Sequence, residues 1–385
     1  MTENKTYTLK QLRLETSAAL EKAGFRELSE IQKLCIPAAL DQKDIYAVAP
    51  TGTGKTIAFL APVLEQLEPQ GSGKHLPLAL ILSPTRELAS QIADTARKLL
   101  AGREGIRTAL LCGGTDMNSQ VRAFKNGADI VVGTPSRICD HLRRHTLKTS
   151  QLHTLILDEA DEMLSMGFRE DVIKIASQLE EHQTMMFSAS ENEETLKLKN
   201  ALLKEPEIFR IEADRMLAHR LRMFHVFCEQ KNKAAALLEI LDGNQADRIL
   251  IFINTRSECD RICSLLQKSH YRCDTIHSEM DPNVRKNIMK SFRSGSLKIL
   301  IATDVAARGL DITDDSLVIN YDWPQKEALF IHRIGRTGRS NTEGTIITFL
   351  SEKRKDRLSV TEQISGVKSV RIPFKEPELS RRRHR

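Results

Sequence analysis

No run in this sequence is long and apolar enough to cross a bilayer, which excludes a helical membrane protein. The first residues, MTENKTYTLK, lack the apolar segment of a secretion signal, so the expected location is cytoplasmic. Cysteine is sparse: seven residues, odd in number and scattered, which argues against a disulfide framework and suits reduced, buried thiols. Cys259, Cys263, His270, Cys273 and His277 fall close together, but their spacing matches no zinc pattern well. Short-period repeats and low-complexity tracts are also missing. Charge of one sign is scarce as well. The net charge is +6, and the last fifteen residues, RIPFKEPELSRRRHR, supply +4 of it through six Lys/Arg against two Glu. The remaining body is close to neutral, so a nucleic-acid partner has to be argued from particular residues.

What is present is a soluble globular composition, 41% hydrophobic and 28% charged, in a chain of 385 residues. That length exceeds one ordinary core and predicts two domains. Short apolar runs predict strands at Ile45–Ala49, Leu78–Ser83, Ile130–Val132, Thr154–Leu157 and Thr184–Phe187. The second half continues with Ile249–Ile253, Lys298–Ala302, Leu317–Asn320 and Thr345–Phe349. Amphipathic stretches such as Glu87–Leu100 and Glu258–Gln267 lie between them. This alternation predicts an α/β chain with mostly parallel sheets, each covered by helices on both faces. The pattern pauses around Glu205–Arg222, and a linker is expected at 212–222.

Leu155-Ile156-Leu157-Asp158-Glu159-Ala160-Asp161 is the most informative run. An apolar strand delivers adjacent carboxylates to its carboxyl end, where α/β sheets hold ligands. Upstream, Ala49-Pro50-Thr51-Gly52-Thr53-Gly54-Lys55-Thr56 has the pattern of a phosphate-binding loop opening a helix near Lys55. Lys55 would contact the β- and γ-phosphates, and the Thr56 hydroxyl would bind magnesium. Ala49 stands where the strict motif has glycine. Asp158 would hold the magnesium ion, directly or through water, and Glu159 would orient or deprotonate the attacking water. His332-Arg333-Ile334-Gly335-Arg336-Thr337-Gly338-Arg339 interleaves glycines with arginines, as a finger that stabilises a transferring phosphate requires. Together these residues point to an ATPase using ATP and Mg2+. Pro62, inside the helix after Lys55, predicts a kink or an early break.

From about Tyr7 to Phe349 these ordered motifs resemble a DEAD-box ATP-dependent RNA helicase, from the helicase superfamily with two RecA-like domains. The resemblance implies an adenine-recognition segment at 1–33, a first RecA-like domain at 34–211 and a linker at 212–222. A second RecA-like domain follows at 223–370, then a basic tail at 371–385. It implies that Phe25 and Gln32 recognise adenine, with Tyr7 as an upstream stacking aromatic; Leu28 and Glu30 replace the usual prolines of that stretch. Asp311, in Arg308-Gly309-Leu310-Asp311-Ile312, matches the residue that binds the ATP ribose. Ser188-Ala189-Ser190 resembles the motif coupling turnover to strand separation, with Asp161 and His332 as its expected neighbours.

The RNA motifs of the family match Pro84-Thr85-Arg86-Glu87-Leu88-Ala89, Gly113-Gly114 and Thr134-Pro135-Ser136-Arg137 in the first half. In the second they match Asn254-Thr255-Arg256, Arg285 and Thr303-Asp304. Short polar side chains at helix starts and a few arginines suit sugar–phosphate contacts more than base readout. Ser136 replaces a glycine, which would cost about 1 kcal/mol if its φ were positive. Pro282 stands where the family often has glutamine. The implied activity is a monomer that closes on ATP and RNA, separating short duplexes locally or remodelling RNA–protein complexes, largely independent of RNA sequence. The implied partners are single-stranded or short duplex RNA, with ribonucleoprotein or helicase-cofactor proteins besides and no membrane. An ATP-dependent RNA clamp that unwinds little, and a DNA helicase of the same superfamily, remain alternatives.

Overall fold

The computed structural model describes residues 7–68, 76–125, 127–211, 221–244, 246–277, 279–304, 316–325, 327–337 and 343–374. The chain divides into two units, Met1–Ala213 and Asp214–Arg385. Among the described residues, no helix is long and apolar enough to cross a membrane.

The first unit is built on β1 (Ile45–Val48), β2 (Ala79–Leu82), β3 (Thr108–Leu111), β4 (Ile130–Gly133), β5 (Thr154–Leu157), β6 (Gln183–Ser188) and β7 (Glu207–Arg210). They form one seven-stranded sheet in the order β3-β4-β2-β5-β6-β1-β7, and its pairings are parallel. Alternate residues of each central strand enter different apolar layers. Ala79, Ile81 and Ile156 join one layer, and Leu80, Leu82, Leu155 and Leu157 the other. Burial on both faces is why these strands read as unbroken apolar runs. One layer is closed by α1 (Leu14–Lys22), α2 (Glu30–Leu40), α3 (Lys55–Gln66) and α4 (Arg86–Leu99). The other is closed by α5 (Met117–Lys125), α6 (Pro135–Arg143), α7 (Ala160–Ser165), α8 (Arg169–Ala176) and α9 (Glu193–Leu202).

The second unit repeats the plan. Its strands are β8 (Leu221–Phe227), β9 (Arg248–Phe252), β10 (Cys273–Ile276), β11 (Ile299–Ala302), β12 (Ser316–Asn320), β13 (Gly344–Leu350) and β14 (Ser369–Arg371). Their order is β10-β11-β9-β12-β13-β8-β14, the first sheet's order with every number raised by seven. The helices α10 (Lys233–Asp242) and α11 (Arg256–Lys268) cover one face. The other is covered by α12 (Pro282–Arg293), α13 (Glu327–Ile334) and α14 (Asp356–Ser365). Two parallel sheets with helices on both faces are the tandem architecture expected of RecA-like domains.

Several expectations need correction. β3, β7, β8, β10 and β14 were not anticipated from the apolar pattern. Leu221 and Arg222, placed in the linker, begin β8. Arg371, placed in the basic tail, ends β14, and Ile372 and Phe374 pack on the layer containing Val226. α3 runs through Pro62 to Gln66, so no early break occurs. Ser136 has a helical backbone in α6, and the cost foreseen for a positive φ does not arise. Pro282 sits in the first turn of α12, where a missing N–H does no harm. Residues 212–220, Asp311, Arg339 and 375–385 lie outside the described residues.

Candidate functional site

β6 lies between β1 and β5, so three motifs leave neighbouring strands at the carboxyl edge of the first sheet. Val48 is level with Ser188, and Leu157 with Met186. The loop after β1 turns through Gly52 and Gly54, both with positive φ, and opens α3 at Lys55. At Gly54 (φ 94) a Cβ would stand 2.3 Å from Gln32 Nε2, so glycine is required by backbone and by space. Lys55 is buried and its Nζ donates to Ala49 O at 2.6 Å and Pro50 O at 3.3 Å. Thr53 Oγ1 donates to Pro50 O, closing the turn. Thr56 follows in the first turn of α3, half-buried.

Gln32 reaches this loop from α2, its Nε2 donating to Gly54 O at 3.0 Å. Its Oε1 accepts from Ser29 N at 2.9 Å, one half of a capping box, while Ser29 Oγ donates to Thr53 O at 2.7 Å. Ser29 was not singled out from the sequence, although Ser-x-x-Gln ahead of an apolar run is a helix-start signal. Tyr7 and Phe25 are half-buried against the apolar layer that α2 and α3 share.

Asp158 and Glu159 are both buried. Burial first, and then the charge of Glu159, push the Asp158 carboxyl up to about 7, against the opposing pull of Lys55. Glu159 holds a left-handed backbone (φ 53, ψ 54) without being glycine. Its Oε2 is buried without a hydrogen-bond partner. Strain and an orphaned carboxylate oxygen together mark a functional position rather than a stabilising one. Two adjacent buried carboxylates fit a magnesium ion, which takes one or two protein carboxylates and fills its shell with water and phosphate oxygens. Among the described residues no group of three or more His, Cys, Asp or Glu is placed to hold a metal, and the seven cysteines are free and buried.

Asp161, in the first turn of α7, meets the loop after β6. Its Oδ2 accepts from Ser190 Oγ at 2.7 Å and its Oδ1 from Ala189 N at 3.4 Å. Ser188 Oγ donates to Ser190 O at 2.6 Å.

The other half of the same edge, over β3, β4 and β2, gathers the first-unit RNA candidates. Thr85 caps α4, its hydroxyl accepting from Leu88 N at 3.2 Å, next to Pro84 and Arg86. Arg86 lies against the Gly113–Gly114 turn after β3, where a Cβ on Gly114 would come 2.0 Å from Arg86 Nη1. Thr134 occupies the N-cap position of α6 without a side-chain cap bond, and Pro135 is in the first turn. Arg137 Nη1 donates to Thr115 O at 3.0 Å, tying α6 to that turn. Ser136 Oγ donates to Asp171 Oδ2 at 2.7 Å, so the residue replacing glycine anchors α6 to α8.

In the second unit the candidates again gather over the matching strands, β10, β11 and β9. Thr255 is the N-cap of α11 and Arg256 its first residue, paired with Glu279. Arg285 lies in α12, and Thr303 N bonds Ile276 O at 3.2 Å. Sequence reasoning gave no role to Arg333, yet it joins these loops. Its guanidinium is 1% exposed and holds both Asp304 oxygens, Asn254 Oδ1 at 3.1 Å and Asp322 O at 2.6 Å. Its place in the arginine–glycine run was the only available signal. His332 lies in α13, four residues before the buried Arg336.

Comparison with known proteins bears on the whole chain. Residues 29–198 match the DEAD/DEAH box helicase family, and residues 232–341 the helicase conserved C-terminal domain. The DEAD-box ATP-dependent RNA helicase CshA of Geobacillus kaustophilus is 36% identical over 359 residues, 93% of this chain and 76% of that protein. Among solved structures, S. cerevisiae Dbp5 bound to RNA and ADP BeF3 is similar at a TM-score of 0.84 and 27% identity, covering 94% of each chain. DEAD-box helicase Mss116 bound to ssRNA and UDP-BeF gives 0.86 at 28% identity, over 96% of this chain and 81% of that one. With the two sheets, the buried carboxylate pair and these matches in agreement, the chain belongs to the DEAD-box ATP-dependent RNA helicases.

Proposed function

We propose that this helicase couples ATP hydrolysis to local separation of short RNA duplexes or remodelling of RNA–protein complexes, acting as a monomer and largely without regard to RNA sequence. The observation that carries the reading is the bond from Asp158 N to Leu82 O at 3.0 Å. It joins β5, which ends at the carboxylates, to β2, which ends at the Pro84–Arg86 turn. The nucleotide half and the RNA half of the edge therefore meet on adjacent strands, where a shift in one loop displaces the other.

In this reading Gln32, Phe25 and Tyr7 face adenine, residues 49–56 wrap the phosphates, and Lys55 neutralises the β- and γ-oxygens. Asp158 and Thr56 would hold Mg2+, which supplies charge neutralisation at the phosphates when bound. Glu159 orients or deprotonates the attacking water, its oxygen left unpaired in the fold for that purpose. Arg336 and Arg339 of the second unit stabilise the transferring phosphate when ATP and RNA are both bound, and Asp311 takes the ribose. Pro84, Thr85, Arg86, Gly113, Gly114, Thr134, Pro135, Arg137, Thr255, Arg256, Arg285 and Thr303 contact the sugar–phosphate backbone. The relatives captured with RNA support single-stranded RNA as the ligand.

Strand displacement of a short RNA duplex in ATP and Mg2+ tests this, beside a matched DNA duplex and RNA dissociation rates. ATP-dependent separation of RNA but not DNA is expected. Slow RNA release without separation would replace unwinding by clamping, and equal use of DNA would remove the RNA preference.

A further inference from the structure

The repeated topology gives the second sheet its own lysine and aspartate at the positions that carry the nucleotide motifs in the first. β8 takes the place of β1, and β12 that of β5. α3 opens on Lys55 after β1, and α10 opens on Lys233 after β8. Asp158 follows β5 directly, and Asp322 follows β12 after Tyr321. The likeness stops at the loop. Cys228-Glu229-Gln230-Lys231-Asn232 has no glycine, so its amides lack the freedom to wrap a phosphate.

Lys233 turns to Asp322 instead. Its Nζ donates to Asp322 Oδ1 at 2.7 Å, with side chains only 11% and 17% exposed, and it lies 5.1 Å from the Tyr321 ring centre. The second oxygen, Asp322 Oδ2, accepts from Asn254 N at 3.1 Å. Asn254 also donates from Nδ2 to Trp323 O at 2.7 Å. The residue just before the cap of α11 is thus held through main chain and side chain by the segment after β12.

We propose that Lys233 and Asp322 are positioning residues for the turn Asn254-Thr255-Arg256: where the first unit binds nucleotide, the second uses a lysine–aspartate strut to brace an RNA-contacting turn. This rests on the reading of Thr255 and Arg256 as RNA contacts. Removing the lysine leaves the half-buried Asp322 carboxylate without its ion-pair partner. Asp322 then turns toward water and releases the Asn254 amide, loosening the start of α11.

The test uses the full chain with Lys233→Met, Lys233→Arg and, as a direct-contact control, Arg256→Ala. Affinity for a labelled single-stranded oligoribonucleotide is read with a non-hydrolysable ATP analogue, beside KM for RNA, KM for ATP and kcat. Lys233→Met is expected to weaken RNA binding and raise KM for RNA by about tenfold, the loss of roughly one charge-assisted bond. KM for ATP and kcat at saturating RNA stay within about twofold, and Lys233→Arg recovers most of the affinity. Unchanged RNA affinity in Lys233→Met, with affinity lost in Arg256→Ala, overturns the strut. Unchanged affinity in Arg256→Ala overturns the RNA reading beneath it. Should Lys233→Met fail to fold, Asp322→Asn removes the ion pair while keeping an acceptor oxygen. Faster hydrogen exchange at the 254–256 amides is then expected, and wild-type exchange there overturns the proposal.

Discussion

Ser190 Oγ donates to Asp161 Oδ2 at 2.7 Å, tying the loop after β6 to the helix that begins beside Glu159. A hydrogen bond to a charged group is worth about 1.5–3 kcal/mol. Ser190→Ala is therefore expected to cut duplex separation by about tenfold or more, with RNA-stimulated ATP turnover changed by less than about threefold. Ser190→Thr keeps the hydroxyl and should keep both activities. Strand displacement and phosphate release measured on the same preparation check this, and a parallel loss of both would mean that the bond does not couple them.

Glu159 combines a left-handed backbone with a buried, unpartnered oxygen. Glu159→Gln should retain ATP and RNA binding while turnover falls by about 10²–10⁴-fold, the range for a lost general base. Its charge also raises the Asp158 pKa, so in metal-free buffer the variant should unfold at a higher temperature. Near-normal turnover would refute the catalytic role. Lys55→Ala, by contrast, should abolish ATP binding, and tight binding retained in titration would sink the phosphate-loop assignment.

Gly114 has φ 74 and no room for a Cβ beside Arg86. Gly114→Ala forces either the turn or the guanidinium to move, and about 1–2 kcal/mol of left-handed strain is added. RNA affinity should fall while ATP affinity does not. Titrations of each ligand separate the effects, and equal loss of both would point to general destabilisation of the unit.

His141 is fully buried, and burial first, then the Arg137 charge, lowers its imidazole to about 4 from an ordinary 6.5. Gln120 Nε2 donates to Cys112 O at 2.8 Å, which turns its carbonyl to His141 Nε2 at 3.1 Å. The neutral ring therefore donates from Nε2, and its Nδ1 lies 2.8 Å from Thr146 Oγ1, which also donates to His141 O at 3.1 Å. Below pH 6.5 the unfolded chain takes a proton that the folded ring refuses until about 4. Stability from this group is complete above 6.5 and is lost as pH falls through that window. His141→Gln should flatten the fall of the unfolding temperature between pH 6.5 and 4.5. Identical slopes would show that the folded ring binds the proton.

The strands that were legible and those that were not differ in one physical respect. Ile249–Ile253 and Thr154–Leu157 read as strands because central parallel strands are apolar on both faces. The unread β3, β7, β10 and β14 are the four edges of the two sheets. Edge strands need less burial, and Glu207–Arg210 is mostly exposed. β8 hid for a related reason, since its burial alternates and Arg222 and His225 interrupt its run. Lys55, Asp158 and Glu159 stood out as candidates because phosphate and magnesium chemistry would call for those residue types next to glycine and strand ends. Arg333, Lys233 and Asp322 did not, because their partners lie many residues away, and although Ser29 carried a local helix-start signal, its bond to Thr53 O did not show in the sequence.

By itself the sequence determined the family and the α/β alternation, and it singled out the residues whose chemistry suits a nucleotide at the ends of buried strands. Only the tertiary structure decided the arrangement of these parts. It placed Ser188 between the two ATP motifs and set the RNA candidates on β3, β4 and β2. It bent Glu159 into a strained conformation, and it turned the second unit's lysine and aspartate toward each other. The reason is that strand order and side-chain pairing depend on contacts between distant segments. Local pattern and spacing record which groups are present, and not which of them meet.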